Sequence, residues 1–99
     1  MKDEFVSRVG IWGQRHHNYL KKKSPTVISV MRLEGNLEQY LRDLDRNAEE
    51  MFSQLVKQLA ERDGITETLK ATDQMEWVRR MNAVRTQATE IVNKELIFV

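Results

Sequence analysis

The chain has 99 residues, of which 40% are hydrophobic and 31% charged, with one Pro, four Gly and a formal net charge of +1. That length bounds it to a single domain, residues 1–99, and the apolar fraction is too high for a disordered chain. It contains no Cys, which excludes thiol catalysis, disulfide cross-links and cysteine-based zinc sites.

Residues 1–7 read as a flexible N-terminus. Met1-Lys2-Asp3-Glu4-Phe5 lacks the apolar run of a signal peptide. No later stretch approaches the ~20 apolar residues that span a bilayer. A chain without stapling cysteines suits a reducing compartment, so a cytoplasmic protein with no membrane partner is expected.

Residues 8–34 read as two short basic helices. The first runs from Val9 to Lys23, with Val9, Trp12, His16, Tyr19 and Leu20 on one face. Ser24-Pro25 breaks it, and Pro25 suits the first turn of a second helix ending near Leu33-Glu34-Gly35.

From Asn36 to Arg62 apolar residues recur at Leu37, Leu41, Leu44, Ala48, Met51, Leu55 and Leu59. This alternating spacing predicts one long helix with a single apolar stripe. Glu38 with Arg42, and Arg46 with Glu50, are opposite charges one turn apart on its polar side. Gly35-Asn36 supplies a start, with Asn36 as the cap, and Gly64 supplies a stop.

A second long helix is expected from Thr66, a good N-cap, to Glu95. Its seam comprises Trp77, Met81, Val84, Ala88 and Ile91, widened by Val78, Val92 and Leu96. Ala71-Thr72-Asp73 is its weak point, where a kink or short break is compatible with the pattern. The short link around Gly64 makes the two long helices antiparallel neighbours.

The expected fold is therefore all-α, with about four helices: residues 35–96 form a long antiparallel hairpin and the two short helices pack on it. At 1.5 Å per residue the long helices would measure about 40 and 45 Å. A globule of this length is only about 33 Å across. The hairpin must then project, kink, or be covered, either by the short helices or by a second copy in a homodimer.

Charge is unevenly spread. Between Arg8 and Arg32 there are six cations (Arg8, Arg15, Lys21, Lys22, Lys23 and Arg32) and no acid, whereas Leu33–Val99 carry nine cations and thirteen acids. Arg8, Arg15 and Lys22, seven apart, would form one helical stripe beside Trp12 and Tyr19. The six cations are the candidate nucleic-acid-binding residues, because phosphate contacts dominate such affinity. The competing reading is a solvated face whose cations pair with Glu38, Asp45 or Glu49. Trp12 and Tyr19 either pack inside or rest on a ligand.

Asn82 and Arg85, with Arg79 and Arg80 nearby, have the chemistry that reads adenine and guanine edges. Their place beside the apolar seam favours instead a polar pair bonded to a neighbouring helix. Gly10-Ile11-Trp12-Gly13 has the form of a loop that clamps nucleic-acid backbone. Without a strand signal around it, close helix packing or a helix start is preferred.

His16 and His17 are adjacent, so on a helix they point about 100° apart and cannot share one ion. His16 reads as a packed core histidine, and no metal or cofactor is expected. Ser7, Ser24, Ser29 and Ser53 have no general base that can be placed beside them, and the nucleophile elbow is absent. No catalytic residue is assigned, and the chain is expected not to be an enzyme.

Several stretches together resemble the transposon-encoded protein TnpV family. They are Gly10-Ile11-Trp12-Gly13 with Tyr19-Leu20-Lys21, Leu37-Glu38-Gln39-Tyr40-Leu41 with Asp45, and the block QLAERDGITETLKATDQMEWVRRMNAVRTQATEIVNKELIF from Gln58 to Phe98. The resemblance implies a protein carried by a mobile element, and members have been likened to small excisionase-type accessories. Excisionases are usually winged-helix proteins with a β-hairpin, and no strand is predicted here. Longer members carry an N-terminal extension beyond the part seen here.

Together with the charge pattern, the resemblance implies a non-enzymatic accessory protein binding DNA, or a DNA-bound recombinase, through its basic segment. The alternative is a protein-interaction module that docks through the hairpin or through Leu96-Ile97-Phe98-Val99 and makes no nucleic-acid contact.

Overall fold

A computed structural model describes residues 4–99; the portion of the expected flexible end at residues 1–3 lies outside the described residues. Residues 4–7, assigned to that same end, instead join Arg8 in a 3-10 turn, with Phe5 packed against the core. Five α-helices follow: α1 (Ile11–Lys23), α2 (Pro25–Glu34), α3 (Leu37–Arg62), α4 (Glu67–Thr72) and α5 (Gln74–Val92). A π-helical turn, Asn93–Ile97, closes the chain. Among the described residues there is no strand, and no helix is long and apolar enough to cross a membrane.

The apolar stripe of α3 is the spine. Leu37, Leu41, Ala48 and Leu59 are buried, and Leu44, Met51 and Leu55 half-buried. Both ends of α2 and the end of α3 follow from local chemistry. Pro25 opens α2, while Gly35 and Gly64 take the left-handed conformation (φ 75° and 69°) that ends α2 and α3. In each case the next amide reaches back five residues: Asn36 N–H to Met31 O, and Ile65 N–H to Ala60 O. Asn36 is the first residue before α3 as expected, but its side chain caps nothing and donates to Glu34 instead. Arg46 pairs with Asp43 at 3.1 Å rather than with Glu50. Helical side chains lean toward the N-terminus, which favours the preceding acid.

The second rod is interrupted near its start and widened at its end, each for a local reason. Asp73, in an extended conformation, ends α4 and caps α5 by accepting from Glu76 N–H at 3.2 Å. The helical pattern from Thr66 to Glu95 is thus two helices, broken at the expected weak point Ala71-Thr72-Asp73, and Thr66 caps the first as expected, its Oγ1 accepting from Leu69 N–H. At the other end, Phe98 N–H bonds to Asn93 O, one residue further back than in an α-helix. The extra residue in this turn carries Ile97 into the core, where it is 0% exposed.

Helix α5 runs antiparallel to α3: Val84 and Ala88 share a core cluster with Leu59, whereas Val92 shares one with Ala48. Helix α1 is also antiparallel to α3, since Leu20 clusters with Leu37 and Trp12 with Ala48. It covers only the first half of α3. The distal half is flanked by α5, on which α4 packs, and the molecule measures 55 × 22 × 17 Å with a radius of gyration of 17.0 Å. That exceeds the ~13 Å of a compact globule of this length.

Gly10 and Gly13 serve the helix start and the close packing expected of them, not a nucleic-acid clamp. The Asp45 carboxylate accepts from Gly13 N–H at 3.0 Å, capping α1 from across the interface. A Cβ on Gly13 would collide with Val9 Cγ1 and stand 2.8 Å from Leu41 O. Gly13→Ala would ordinarily gain up to ~1 kcal/mol of helix propensity. Here overpacking reverses the sign, and urea denaturation should show a net loss of about 1–3 kcal/mol.

Candidate nucleic-acid interface

Of the six predicted cations, Arg8, Arg15 and Lys22 do not form the expected stripe. Because Gly10 is extended and α1 begins at Ile11, Arg8 lies off the helix that carries Arg15 and Lys22. Arg8 stands 4.0 Å from Glu38, which also pairs with Arg42 at 2.8 Å. Arg32, in the last turn of α2, lines a shallow depression with Phe5, Gly35, Leu37 and Glu38. Arg15 is half-buried: its Nη1 donates to Asn93 Oδ1 at 2.9 Å, and its guanidinium lies 5.0 Å from the centre of the Trp12 ring. It ties α1 to the end of α5.

Lys21, Lys22 and Lys23 differ from these. All three are exposed in the last turn of α1, and no carboxylate among the described residues pairs with them. Successive helical residues point about 100° apart, so three in a row spread charge around the end of the helix. Two of the acids expected to neutralise the cations serve elsewhere. Asp45 caps Gly13, and Glu49 Oε2 accepts from the Trp12 indole N–H at 2.9 Å. Of these three acids, Glu38 meets a cation of the basic segment, Arg8.

The aromatic residues pack inward. Trp12 is 5% exposed and meets Phe52 at 5.5 Å between ring centres; Tyr19 meets Phe98 at 5.5 Å. His16 is buried between Ile97 O, 2.7 Å from Nδ1, and Tyr40 Oη, 2.8 Å from Nε2. A carbonyl only accepts, so Nδ1 carries the hydrogen. Both ring nitrogens are thereby engaged, as a core histidine requires.

On α5, Asn82 and Arg85 are both exposed, and neither bonds to another helix among the described residues. The expected buried polar pair is therefore corrected. With Val84, rather than its neighbours, facing Leu59, the two polar residues fall outside the contact. Arg79 and Arg80 both bind Glu76.

The family model "Transposon-encoded protein TnpV" matches residues 1–97. The chain belongs to the TnpV family. No curated protein and no solved structure matches it. The described part of this TnpV protein holds no β-hairpin, hence no winged-helix wing. The cross-interface roles of Asp45 and Glu49 had no local sign in the sequence. Both lie on the polar side of α3, and only the glycine pair opposite shows where a close approach is possible.

The Arg79 and Arg80 guanidiniums, through hydrogen bonds led by Arg79, hold the Glu76 carboxyl below the usual glutamate range. A depressed folded pKa means that the stabilisation is present above the unfolded value and fades as pH falls through the folded one. An NMR titration should show Glu76 protonating at lower pH than an ordinary glutamate. The small stability difference between wild type and Glu76→Gln should vanish in acid and shrink in high salt.

Proposed function

We propose that this TnpV protein is a non-catalytic accessory of a mobile element that binds DNA, alone or beside a recombinase, with Lys21, Lys22 and Lys23 on the phosphate backbone. The observation that carries this reading is the exposed lysine run, which meets no carboxylate among the described residues while Asp45 and Glu49 accept from Gly13 and Trp12 at the other end of α1. Arg8 and Arg32 stand at its margin. Arg15 is assigned to the fold. The mechanism is positioning: cations release counterions from the duplex and set the protein's place on it.

Each phosphate contact adds about 0.9 to the salt slope of log affinity. Titrating a labelled duplex at several salt concentrations, the triple change Lys21→Gln, Lys22→Gln, Lys23→Gln should reduce that slope by roughly 2–3 and weaken binding at least tenfold. Arg15→Ala should lower the melting temperature by several degrees, through loss of its hydrogen bond and ring contact, and leave the slope unchanged. Affinity indifferent to salt and to the triple change ends this reading.

A protein-contact reading has one observation of its own. Helix α2 presents Val27, Val30 and Leu33 to solvent, and Leu33 is 89% exposed. The C-terminal segment does not offer such a surface as a whole, since Ile97 is buried and Leu96 half-buried. On this reading a protein co-purifies after nuclease treatment, and Leu33→Asp releases it while duplex binding persists.

A further inference from the structure

Met75, Val78, Asn82, Arg85 and Thr89 alternate at spacings of three and four along α5. They therefore share one side of the helix. That side is centred about 100° around the helix from the Met81, Val84 and Ala88 seam and borders it. Met75 is 85% exposed, and Val78, Asn82 and Arg85 are exposed as well. Of the two carboxylates of α5, Glu90 lies about 80° around the helix from Asn82, whereas Glu76, paired with Arg79 and Arg80, borders with Asp73 the shallow depression that Met75, Val78 and Asn82 line.

The stripe and the lysine run lie on the same side of the α3–α5 layer. Asn93 follows Asn82 by eleven residues, three helical turns, and so continues the same side. Asn93 is the residue to which Arg15 of α1 donates. Helix α1 therefore lies over the far end of the stripe, and its last turn carries the lysines.

Along the long axis the separation follows from α3. Leu20, next to Lys21, clusters with Leu37, and Val84, two residues from Asn82, clusters with Leu59. Leu37 and Leu59 are 22 residues apart, about 33 Å of helix. One turn of duplex DNA is about 34 Å. A helix of about 10–12 Å diameter also matches the ~12 Å width of the major groove.

We infer that α5 is a major-groove reading helix. Asn82 is placed for an adenine edge and Arg85 for a guanine edge, with Met75 and Val78 toward thymine methyls. Lys21, Lys22 and Lys23 hold phosphates about one turn away. The inference rests on the DNA-binding reading and adds to it a base-specific duplex as the ligand.

The test is selection from a random duplex library with the full-length protein, followed by titrations on the selected duplex and an unrelated one. The wild type should enrich a motif. The double change Asn82→Ala, Arg85→Ala, at exposed positions, should lose about tenfold to a hundredfold on the motif duplex. It should leave the unrelated duplex and the salt slope unchanged, with the far-UV spectrum intact. The triple lysine change should weaken both duplexes alike. Duplex binding with no enriched motif, or the same motif selected by the Asn82/Arg85 variant, overturns this inference alone. Absence of any salt-dependent duplex binding overturns it together with the reading beneath it.

Discussion

The fold depends on how α1 is seated on α3. A carboxylate from one helix caps the first turn of another: Asp45 accepts from Gly13 N–H at 3.0 Å, at the positive end of the α1 dipole. One turn along α3, Glu49 holds the indole N–H of the adjacent Trp12. The approach requires no side chain at Gly10 and Gly13, because an added Cβ at Gly10 would stand 2.7 Å from the Asp45 carboxyl carbon. A cap of this kind is worth about 1–2 kcal/mol. Its larger consequence is directional. It fixes the start of α1, hence the phase of that helix, and so which of its cations face solvent.

The phase of α5 is set from both ends by interruptions of the α-helix. Asp73 stops α4 and restarts the ladder, and the π turn at Asn93–Ile97 adds a residue before the chain ends. Between them, Val84 and Ala88 hold α5 against Leu59 of α3. The π turn brings the Ile97 carbonyl to His16, whose other nitrogen meets Tyr40 of α3. One imidazole thus joins α1, α3 and the chain end. With its end locked in this way, α5 cannot rotate to bury Asn82 or Arg85, and the outward side of the helix is determined by contacts on its inner side.

What was legible in the sequence was whatever has a period. The stripe of α3, the stops at Gly35 and Gly64, the Thr66 cap and the apolar face of α1 all follow from spacing or local backbone chemistry. What was not legible was phase across an interruption. Treating Arg8, Arg15 and Lys22 as one stripe assumed a helix continuous from Arg8, and the extended backbone of Gly10 breaks it. The weak point of the second rod at Ala71-Thr72-Asp73 was legible, but whether it kinks or breaks was not: that is decided by the Asp73 carboxylate, which accepts from Glu76 N–H and starts a new helix. Ile97 follows an α-helical phase to the outside, and only the wider turn brings it in. Asn82 and Arg85 border the seam on a helical wheel, and their exposure is decided by the limited width of the α3–α5 contact.

A net charge of +1 describes what this molecule presents to a polyanion less well than its local field does. Asp45 and Glu49 point into the α1–α3 joint, and Glu38 is shared between Arg8 and Arg42. The cancelling acids of the chain come after the basic third: Glu38, Asp43, Asp45 and Glu49 lie on the first half of α3, Glu50 and Glu61 on its second half, and Glu67 on α4. At physiological ionic strength a charge is felt over about 8 Å. Glu61, about 36 Å along α3 from Leu37, therefore does not offset the lysine run, and of the nearer acids Glu38 is paired with Arg8 and Arg42 and Asp43 with Arg46. Binding by such a surface depends on local counterion release, so a nearly neutral chain can still carry a phosphate-binding end, with an affinity limited to the few contacts that end supplies.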